Sequence, residues 1–265
     1  MVFGNVLAKI SEFRLDAADG QSAIVRNTTL TRAALRIVGV PHMGLRVRAN
    51  LILGEIRKHR PLTIIDAGSG NGLYTLEFAA RGYIVHGIEL NQDKVSRVER
   101  YAREAGLANA SLRVADLTNL PQVTQQADLV VCSDVLEHIP DDRSAVSALY
   151  ALTRPGGLLI LTVPRISPFA ARVENSFDHV RIGYTDENLC TMLESAGFQI
   201  LKTGQFFKMF GRMAWAADRG LRHSSVLKAL LFWPLFLFAK LDTLISCDPN
   251  AGGIFVVARA PAPSD

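Results

Sequence analysis

The sequence predicts an α/β domain built on a doubly wound, mostly parallel sheet of seven strands. Seven short apolar runs alternate with helical stretches from residue 62 onward, and uniformly apolar runs are typical of parallel strands covered on both faces. A glycine-rich turn after the first run and an acidic residue after the second lie where such sheets bind ligands. We therefore expect the main domain at residues 61–265, after an N-terminal helical segment at 1–60.

The composition is that of a folded domain. Of the 265 residues, 49% are hydrophobic and 20% are charged, which excludes disordered and collagen-like chains. Cys132, Cys190 and Cys247 are far apart and outside any metal-binding spacing, so neither a disulfide framework nor a metal site is expected. This cysteine usage, and a start unlike a secretory signal, favour a cytoplasmic location.

The elements follow in chain order from periodicity and turn residues. An apolar stripe over residues 45–56 predicts a helix that ends before Pro61. Tyr74–Ala80 predicts the next helix, and Asn91 and Gly106 are the expected N-cap and C-cap of a third. The predicted strands are Leu62–Ile65, Ile84–Ile88, Ser111–Val114, Leu129–Cys132, Leu158–Val163, Phe198–Leu201 and Ile254–Ala258.

The turn after the first strand has the sequence DAGSGNG at 66–72. Its glycines let a backbone approach a ligand closely, and we expect them to leave N–H groups free at a helix N-terminus. A dinucleotide fingerprint would need a glycine at position 73, which is Leu73, so a nicotinamide oxidoreductase is disfavoured. Glu89 can accept two hydrogen bonds from a ribose diol, and Asp116 can accept one from an exocyclic amine, although each acid alone could be a cap or loop residue.

These motifs resemble, in the same order, those of the class I S-adenosylmethionine-dependent methyltransferases. The resemblance covers about residues 45–203 and is carried by DAGSGNG at 66–72, HGIELN at 86–91, VADL at 114–117, ADLVVCSDVLEHI at 127–139 and RPGGLLILTVP at 154–164. The chain is most similar to the small-molecule branch that contains quinone-biosynthesis and lipid- or glycan-pathway methyltransferases. The resemblance implies a Rossmann-like methyltransferase fold and S-adenosyl-L-methionine as the cofactor.

The resemblance also implies which residues bind the cofactor. The glycine loop would wrap its methionine part, Glu89 would bind the ribose, and the segment after the fourth strand would pass beside the sulfonium. Ser69 stands where the family often has cysteine. The implied cofactor-binding residues are Asp66, Gly68, Ser69, Gly70, Gly72, Glu89, Leu90, Asp116, Leu117, Cys132, Ser133 and Asp134.

Candidate residues for the methyl transfer lie further along the chain. His138 is a candidate general base, and its alternative role is to pack at the start of the next helix. His179, Arg181 and Tyr184 are candidates for binding the acceptor, in a segment where Thr185 is also a plausible N-cap of a helix over Asp186–Ala196. His42 and Arg46 are weaker candidates for closing over the cofactor carboxylate.

An apolar and basic insertion, residues 205–252, precedes the last strand. Its uncharged run Ala229–Ala239 is too short to span a bilayer, and Pro234 is expected to interrupt it. Residues 205–245 could contact a membrane peripherally, cover the acceptor as a lid, or form a homodimer contact. Without a stacking platform or an appended module, no nucleic-acid partner is expected.

The sequence thus predicts a methyltransferase that acts on an oxygen or carbon of a small, hydrophobic or lipid-linked acceptor. A prenylated phenol or a lipid-linked sugar would fit. The alternative is a catalytically silent cofactor-binding or scaffold protein of a membrane-associated pathway, because intact binding motifs alone do not demonstrate turnover.

Overall fold

A computed structural model describes residues 3–16, 22–120, 125–168, 180–221 and 225–262. The strands are β1 Glu12–Asp16, β2 Ser22–Arg26, β3 Thr63–Ala67, β4 Ile84–Glu89, β5 Ala110–Val114, β6 Ala127–Ser133, β7 Thr153–Pro164, β8 Gln199–Phe206 and β9 Gly253–Arg259. The α-helices are α1 Thr29–Ile37, α2 Met43–His59, α3 Leu73–Ala80, α4 Gln92–Ala105, α5 Asp142–Leu152, α6 Asp186–Ser195, α7 Met209–Gly220 and α8 Ser225–Ala239. Short 3₁₀-helices cover Asn5–Lys9, Leu136–His138 and Lys240–Leu244.

Seven strands form the central sheet in the order β5-β4-β3-β6-β7-β9-β8. The pairs from β5 to β7 are parallel, and β9 runs antiparallel to both β7 and β8. The predicted doubly wound, mostly parallel fold is therefore confirmed. Strand β8 extends to Phe206, beyond the predicted end at Leu201, because it is an edge strand whose half-exposed residues do not form an apolar run.

The local signals at the helix ends are also confirmed. Asn91 Oδ1 accepts a hydrogen bond from Lys94 N at 3.1 Å, and Gly106 ends α4 with a φ of 70°. Thr185 Oγ1 accepts from Asn188 N at 3.1 Å and so caps α6. These side chains satisfy backbone groups that the helix itself leaves unpaired.

The N-terminal segment differs from the sequence prediction. Helices α1 and α2 form as expected, but β1 and β2 pair as an antiparallel hairpin where the sequence predicts helix. Arg14 N donates to the Tyr101 hydroxyl at 3.1 Å and Ser11 N donates to Glu104 at 2.8 Å, so the hairpin lies on α4. The strict alternation of charged and apolar residues over Glu12–Asp16 is itself a strand pattern, and α4 supplies the partners that hold this strand in place.

The sheet is covered by helices on both faces. One hydrophobic core joins the N-terminal segment, α2, α3, α4 and α8 to one face, with Phe13, Ile52 and Phe78 among its fully buried residues. The other core joins α5 and α6 to the opposite face. This two-sided burial explains why the central strands are uniformly apolar.

The predicted insertion forms α7, α8 and the 3₁₀-helix at 240–244 between β8 and β9. Helix α8 continues through Pro234, so the expected interruption there is wrong. Pro234 removes one backbone donor, but it lies on the exposed side of the helix, away from the buried Phe232 and Phe236. Among the described residues, no helix combines the length and apolar character needed to cross a bilayer.

Arg46 anchors the insertion to α2. Its guanidinium carbon lies 5.4, 4.9 and 5.5 Å from the ring centroids of Phe232, Trp233 and Phe236, and its Nη1 donates to the Phe3 carbonyl at 2.9 Å. Arg46 is only 5% exposed, and burial lowers the pKa of its guanidinium. One side chain therefore joins the N-terminus, α2 and α8.

We expect Arg46→Ala to lower the free energy of unfolding by about 2 to 4 kcal/mol, because it removes a desolvated cation–π cluster and leaves a buried carbonyl without its donor. Urea denaturation would measure this change. Arg57→Ala, at an exposed position in the same helix, should change stability by less than about 1 kcal/mol. Equal stabilities of the two variants would show that Arg46 is not an anchor.

Candidate functional site

A cavity of about 580 Å³ lies at the carboxyl ends of β3, β4, β5 and β6. It straddles the point between β3 and β6 where the order of the strands reverses, which is the usual ligand site of a doubly wound sheet. Nine of the implied cofactor-binding residues line it. They are Gly68, Ser69, Gly70, Glu89, Leu90, Asp116, Leu117, Ser133 and Asp134.

Three implied cofactor-binding residues lie behind the cavity wall instead. Gly72 caps α3 in the left-handed region, and Cys132 is fully buried within β6, where burial raises the pKa of its thiol. Asp66 is 2% exposed and accepts a hydrogen bond from the Thr75 hydroxyl at 2.6 Å. Asp66 and Cys132 lie within β3 and β6, where side chains point to the faces of the sheet, and none of the three residues lines the cavity.

The glycine loop makes room in the cavity, although the amides of its three glycines and of Ser69 already donate hydrogen bonds within the protein. The amides of Gly68 and Ser69 both donate to the Ile88 carbonyl at 2.8 Å, and the amide of Gly72 donates to the Ser69 carbonyl. At Gly68, with a φ of 76°, a Cβ would lie 2.4 Å from a methyl of Val135. Any larger residue would therefore push the loop and the segment after β6 apart.

Glu89 connects this loop to the neighbouring strand. Its Oε2 accepts from Gly70 N at 2.9 Å, and its Oε1 accepts from Asn91 N at 3.1 Å. The Lys94 ammonium lies 3.9 Å from Oε1. The carboxylate is thus held at the cavity wall with one lone pair on each oxygen still able to accept, as the ribose-binding hypothesis requires.

Asp116 stabilises the turn in which it lies and also lines the cavity. Its Oδ1 accepts from both the amide and the hydroxyl of Thr118 at 2.8 Å. The sequence left a loop role and a ligand role open for this residue, and the structure supports both, since the side chain also lines the cavity. Leu90, 67% exposed, and Leu117 provide apolar surface on the same side.

Arg48, Asp134 and Tyr74 form a charged cluster that the sequence analysis did not single out as a unit. Arg48 Nε lies 2.8 Å from Asp134 Oδ2, in an ion pair without the alignment of a hydrogen bond. Burial opposes the charge of Arg48, but Asp134 and Tyr74 outweigh it and raise the pKa of the guanidinium. Burial also raises the pKa of Tyr74 to about 12, so its hydroxyl keeps its proton.

Arg48, and not the predicted Arg46, is the arginine of α2 that lines the cavity. Arg46 faces α8, whereas Arg48 lines the cavity. Two residues along a helix differ by about 200° in direction, so the two arginines point to opposite sides. Leu45 and Arg48 are three residues apart on neighbouring turns of α2, and both line the cavity.

Two histidines, His42 and His138, line the cavity. His138, in the 3₁₀-helix after β6, lines the cavity as predicted. His42 caps α2, and its Nδ1 accepts from Leu45 N at 3.2 Å. In the neutral ring Nε2 of His42 then carries the proton, which makes His42 a donor and leaves His138 as the candidate base.

Arg181 and Tyr184 hold the segment of His138 rather than line the cavity. Arg181 Nη1 donates to the carbonyls of Leu136 and Ile139 at 2.6 and 2.7 Å, and the Tyr184 hydroxyl donates to Asp142 at 2.9 Å. Their contact with an acceptor stays a prediction, and His179 lies outside the described residues. The observed contacts give both side chains a positioning role.

Two basic residues of the cavity were missed. Lys94 comes from the first turn of α4, and Arg14 comes from the hairpin that the sequence predicts as helix. Arg14 reaches the cavity because β1 lies on α4, a contact between distant parts of the chain that no local pattern indicates. The N-terminal segment therefore contributes to the site.

Comparison with known proteins gives consistent results. A methyltransferase domain family matches residues 65–161. The ubiquinone biosynthesis O-methyltransferase of Aeromonas salmonicida is 28% identical over 52% of this chain and 63% of its own length, and that of Pseudomonas putida strain F1 is 24% identical over 68% and 72%. The crystal structure of magnesium protoporphyrin IX methyltransferase from Synechocystis PCC 6803, with bound SAH, has a TM-score of 0.53, covers 88% of each chain and is 18% identical.

The residues of the cavity fit S-adenosylmethionine. The cofactor offers a ribose diol, an adenine amine and an amino-acid end, and the cavity has Glu89, Asp116 and Arg48 as groups of matching polarity. The Ser69 hydroxyl lies buried at the glycine loop without a hydrogen-bond partner among the described residues, as expected of a group that serves a polar ligand. The volume is in the range of small-molecule sites.

Asp66 should make stability depend on pH. Burial raises its pKa from 3.8 to about 6, although Thr75 acts in the opposite direction. As the pH rises, Asp66 ionises at a lower pH in the unfolded chain than in the folded protein. Its ionisation therefore lowers the free energy of unfolding between about pH 4 and 6, by about 3 kcal/mol in total. Asp66→Asn should remove this slope and raise the free energy of unfolding above pH 6. The check is urea denaturation from pH 4 to 8, with exposed Asp93→Asn as the control that keeps the slope.

Glu89→Ala should weaken binding of S-adenosylmethionine by about 1.5 to 3 kcal/mol, the range for a hydrogen bond to a charged group. Isothermal titration calorimetry would measure it, with Glu187→Ala as an exposed control. Glu89→Gln, which keeps an acceptor for Gly70 N, separates loss of the ligand contact from loss of the loop. Unchanged affinity in Glu89→Ala would remove its ribose-binding role.

Proposed function

This chain belongs to the class I S-adenosylmethionine-dependent methyltransferases, and from that premise we propose that it methylates an oxygen or carbon of a small, hydrophobic or lipid-linked acceptor. The observation that carries the proposal is the set of cavity residues at four adjacent strand ends, with His138 among them. When bound, S-adenosylmethionine supplies the methyl group as a sulfonium. The protein must then hold the acceptor in line and remove its proton.

His138 is the proposed general base. It lines the cavity a few residues after Asp134, and its segment is fixed through Arg181, which bonds the carbonyls on either side of it. An imidazole titrates near neutral pH and can take a proton from a phenol or an activated carbon. A fixed base and a donor at His42 are the groups that an oxygen acceptor would need.

The acceptor class rests on two supports. The named relatives are ubiquinone biosynthesis O-methyltransferases, whose identity of 24 to 28% supports a related chemistry without defining the acceptor. The cavity wall includes Leu45, Leu73, Val135 and Ile139, which provide apolar surface for an apolar acceptor beside the charged residues that fit the cofactor. We therefore propose a prenylated phenol first and a lipid-linked sugar second.

An acceptor of this kind is held in or at a membrane. The proposal accordingly includes peripheral membrane contact through residues 205–245, at the inner face of a membrane. A homodimer through the same residues is the competing arrangement. A silent scaffold protein is the less favoured function, because the cavity keeps both the cofactor residues and a candidate base.

The first test is calorimetric titration with S-adenosylmethionine and S-adenosylhomocysteine, with NAD as the control. The proposal expects binding of both adenosyl ligands and no binding of NAD. An assay of methyl transfer to a panel of prenylated phenols would then identify the acceptor. If folded protein bound neither adenosyl ligand, the scaffold hypothesis would replace the proposal.

His138→Ala should slow methyl transfer about 100-fold or more and leave the affinity for S-adenosylmethionine nearly intact, because the base acts on the acceptor alone. Single-turnover rates and calorimetry would measure the two effects. His59→Ala, an imidazole at the far end of α2, is the matched control. Equal rates for His138→Ala and the parent protein would return His138 to a packing role.

A further inference from the structure

Helix α8 is apolar on two opposite faces. Phe232, Phe236 and Ala239 are buried against the body of the protein, with Arg46 of α2 over the two phenylalanines. The other face is exposed to solvent and continues into the 3₁₀-helix at 240–244. We call it the leucine face, and it consists of Leu227, Leu230, Leu231, Pro234, Leu237, Leu241 and Leu244.

The leucine face is a continuous surface. Its residues are three or four positions apart, so they lie one above another along the helix. Leu230, Leu237 and Leu244 are 68, 58 and 77% exposed. Single exposed leucines are ordinary. A run of apolar residues along one helix face exposes a large apolar surface to water, which is unfavourable in free energy and indicates a binding partner.

The charges around this face indicate which partner. Residues 205–245 of the insertion include six Lys or Arg residues and two acidic ones, but Lys208 is buried and Arg212 pairs with Asp248 at 2.8 Å, so these two positive charges are used within the protein. Both acids are turned inward: Asp218 is 5% exposed, and Asp242 accepts from the amides of Lys208 and Gly211 at 2.8 and 3.0 Å. Lys240 stays exposed beside the leucine face, with its Nζ 5.5 Å from the Phe236 ring centroid.

From this arrangement we propose that the leucine face docks on a bilayer surface that contains anionic lipid. The leucines would enter the boundary between headgroups and acyl chains, and Lys240 would lie among the anionic headgroups. A second copy of the chain is a poorer occupant, because a two-fold contact through this face would bring the exposed lysines of both copies together.

Docking would place the bilayer about two helix diameters, roughly 20 Å, from the cavity. Helix α8 packs on α2 through Arg46, and the first two turns of α2 supply His42, Leu45 and Arg48 to the cavity wall. The bilayer and the cavity would then be on opposite sides of one helix pair, each helix about 10 Å across. The docking deepens the membrane contact of the proposed function, and its link to acceptor delivery rests on that proposed function.

Vesicle flotation of the full chain tests the docking. The parent protein should float with vesicles of equal phosphatidylglycerol and phosphatidylcholine, and less with phosphatidylcholine alone. Leu230→Gln/Leu237→Gln should lower the partition coefficient at least about tenfold. Lys240→Gln should lower it about fivefold for the anionic vesicles and have little effect on the neutral ones.

A matched control uses leucines that are equally exposed elsewhere. Leu30 and Leu62 are 81 and 77% exposed, and Leu30→Gln/Leu62→Gln should float like the parent protein. Retained binding of S-adenosylmethionine by each variant shows that it is folded, so failure of the docking is distinguishable from failure of the proposed function.

Three results would overturn the proposal. The first is a parent protein that floats with neither kind of vesicle, and the second is equal loss of flotation in the two double variants. The third is a parent dimer, measured by sedimentation, that becomes monomeric in Leu230→Gln/Leu237→Gln without any vesicle binding by the parent. That last result would identify the leucine face as a subunit contact.

Discussion

The carboxylate of Glu89 fixes the relative position of two loops on which the cavity depends. One oxygen holds the amide of Gly70 in the loop after β3, and the other holds the amide of Asn91, which in turn caps α4. Because β3 and β4 are neighbours in the sheet, a single side chain at the end of β4 can reach both. The residue that holds the two loops in place is therefore also the residue predicted to bind the ribose.

Features of the fold that depend on short-range sequence patterns could be predicted from the sequence. The apolar strands, the caps at Asn91 and Thr185 and the acids at the strand ends all follow from short-range patterns, and an ordered series of motifs supplied the family. What it missed depends on packing between distant residues. Arg14 reaches the cavity only because Tyr101 and Glu104 hold the hairpin on α4, and the loop amides are occupied only because β4 ends beside them.

Several groups at the cavity are held in costly states. Asp134 has a φ of 53°, in a region that favours glycine, and it forms a partly buried ion pair with Arg48. Asp66 is buried in β3 behind the cavity wall, and burial raises its pKa to about 6. Strain and desolvation of this kind lower stability and are commonly concentrated at functional sites, since the rest of the fold must supply the compensation. Their presence here favours an active site over a scaffold that keeps the fold alone.

Helix α2 connects the insertion between β8 and β9 to the cavity. Arg46 and Arg48, on opposite sides of the helix, contact the aromatic residues of α8 and the acid of the cavity respectively. Close-packed interiors transmit displacement because side chains cannot move independently. Helix α2 therefore joins the packing of the insertion to the wall of the cavity through two side chains that are two residues apart.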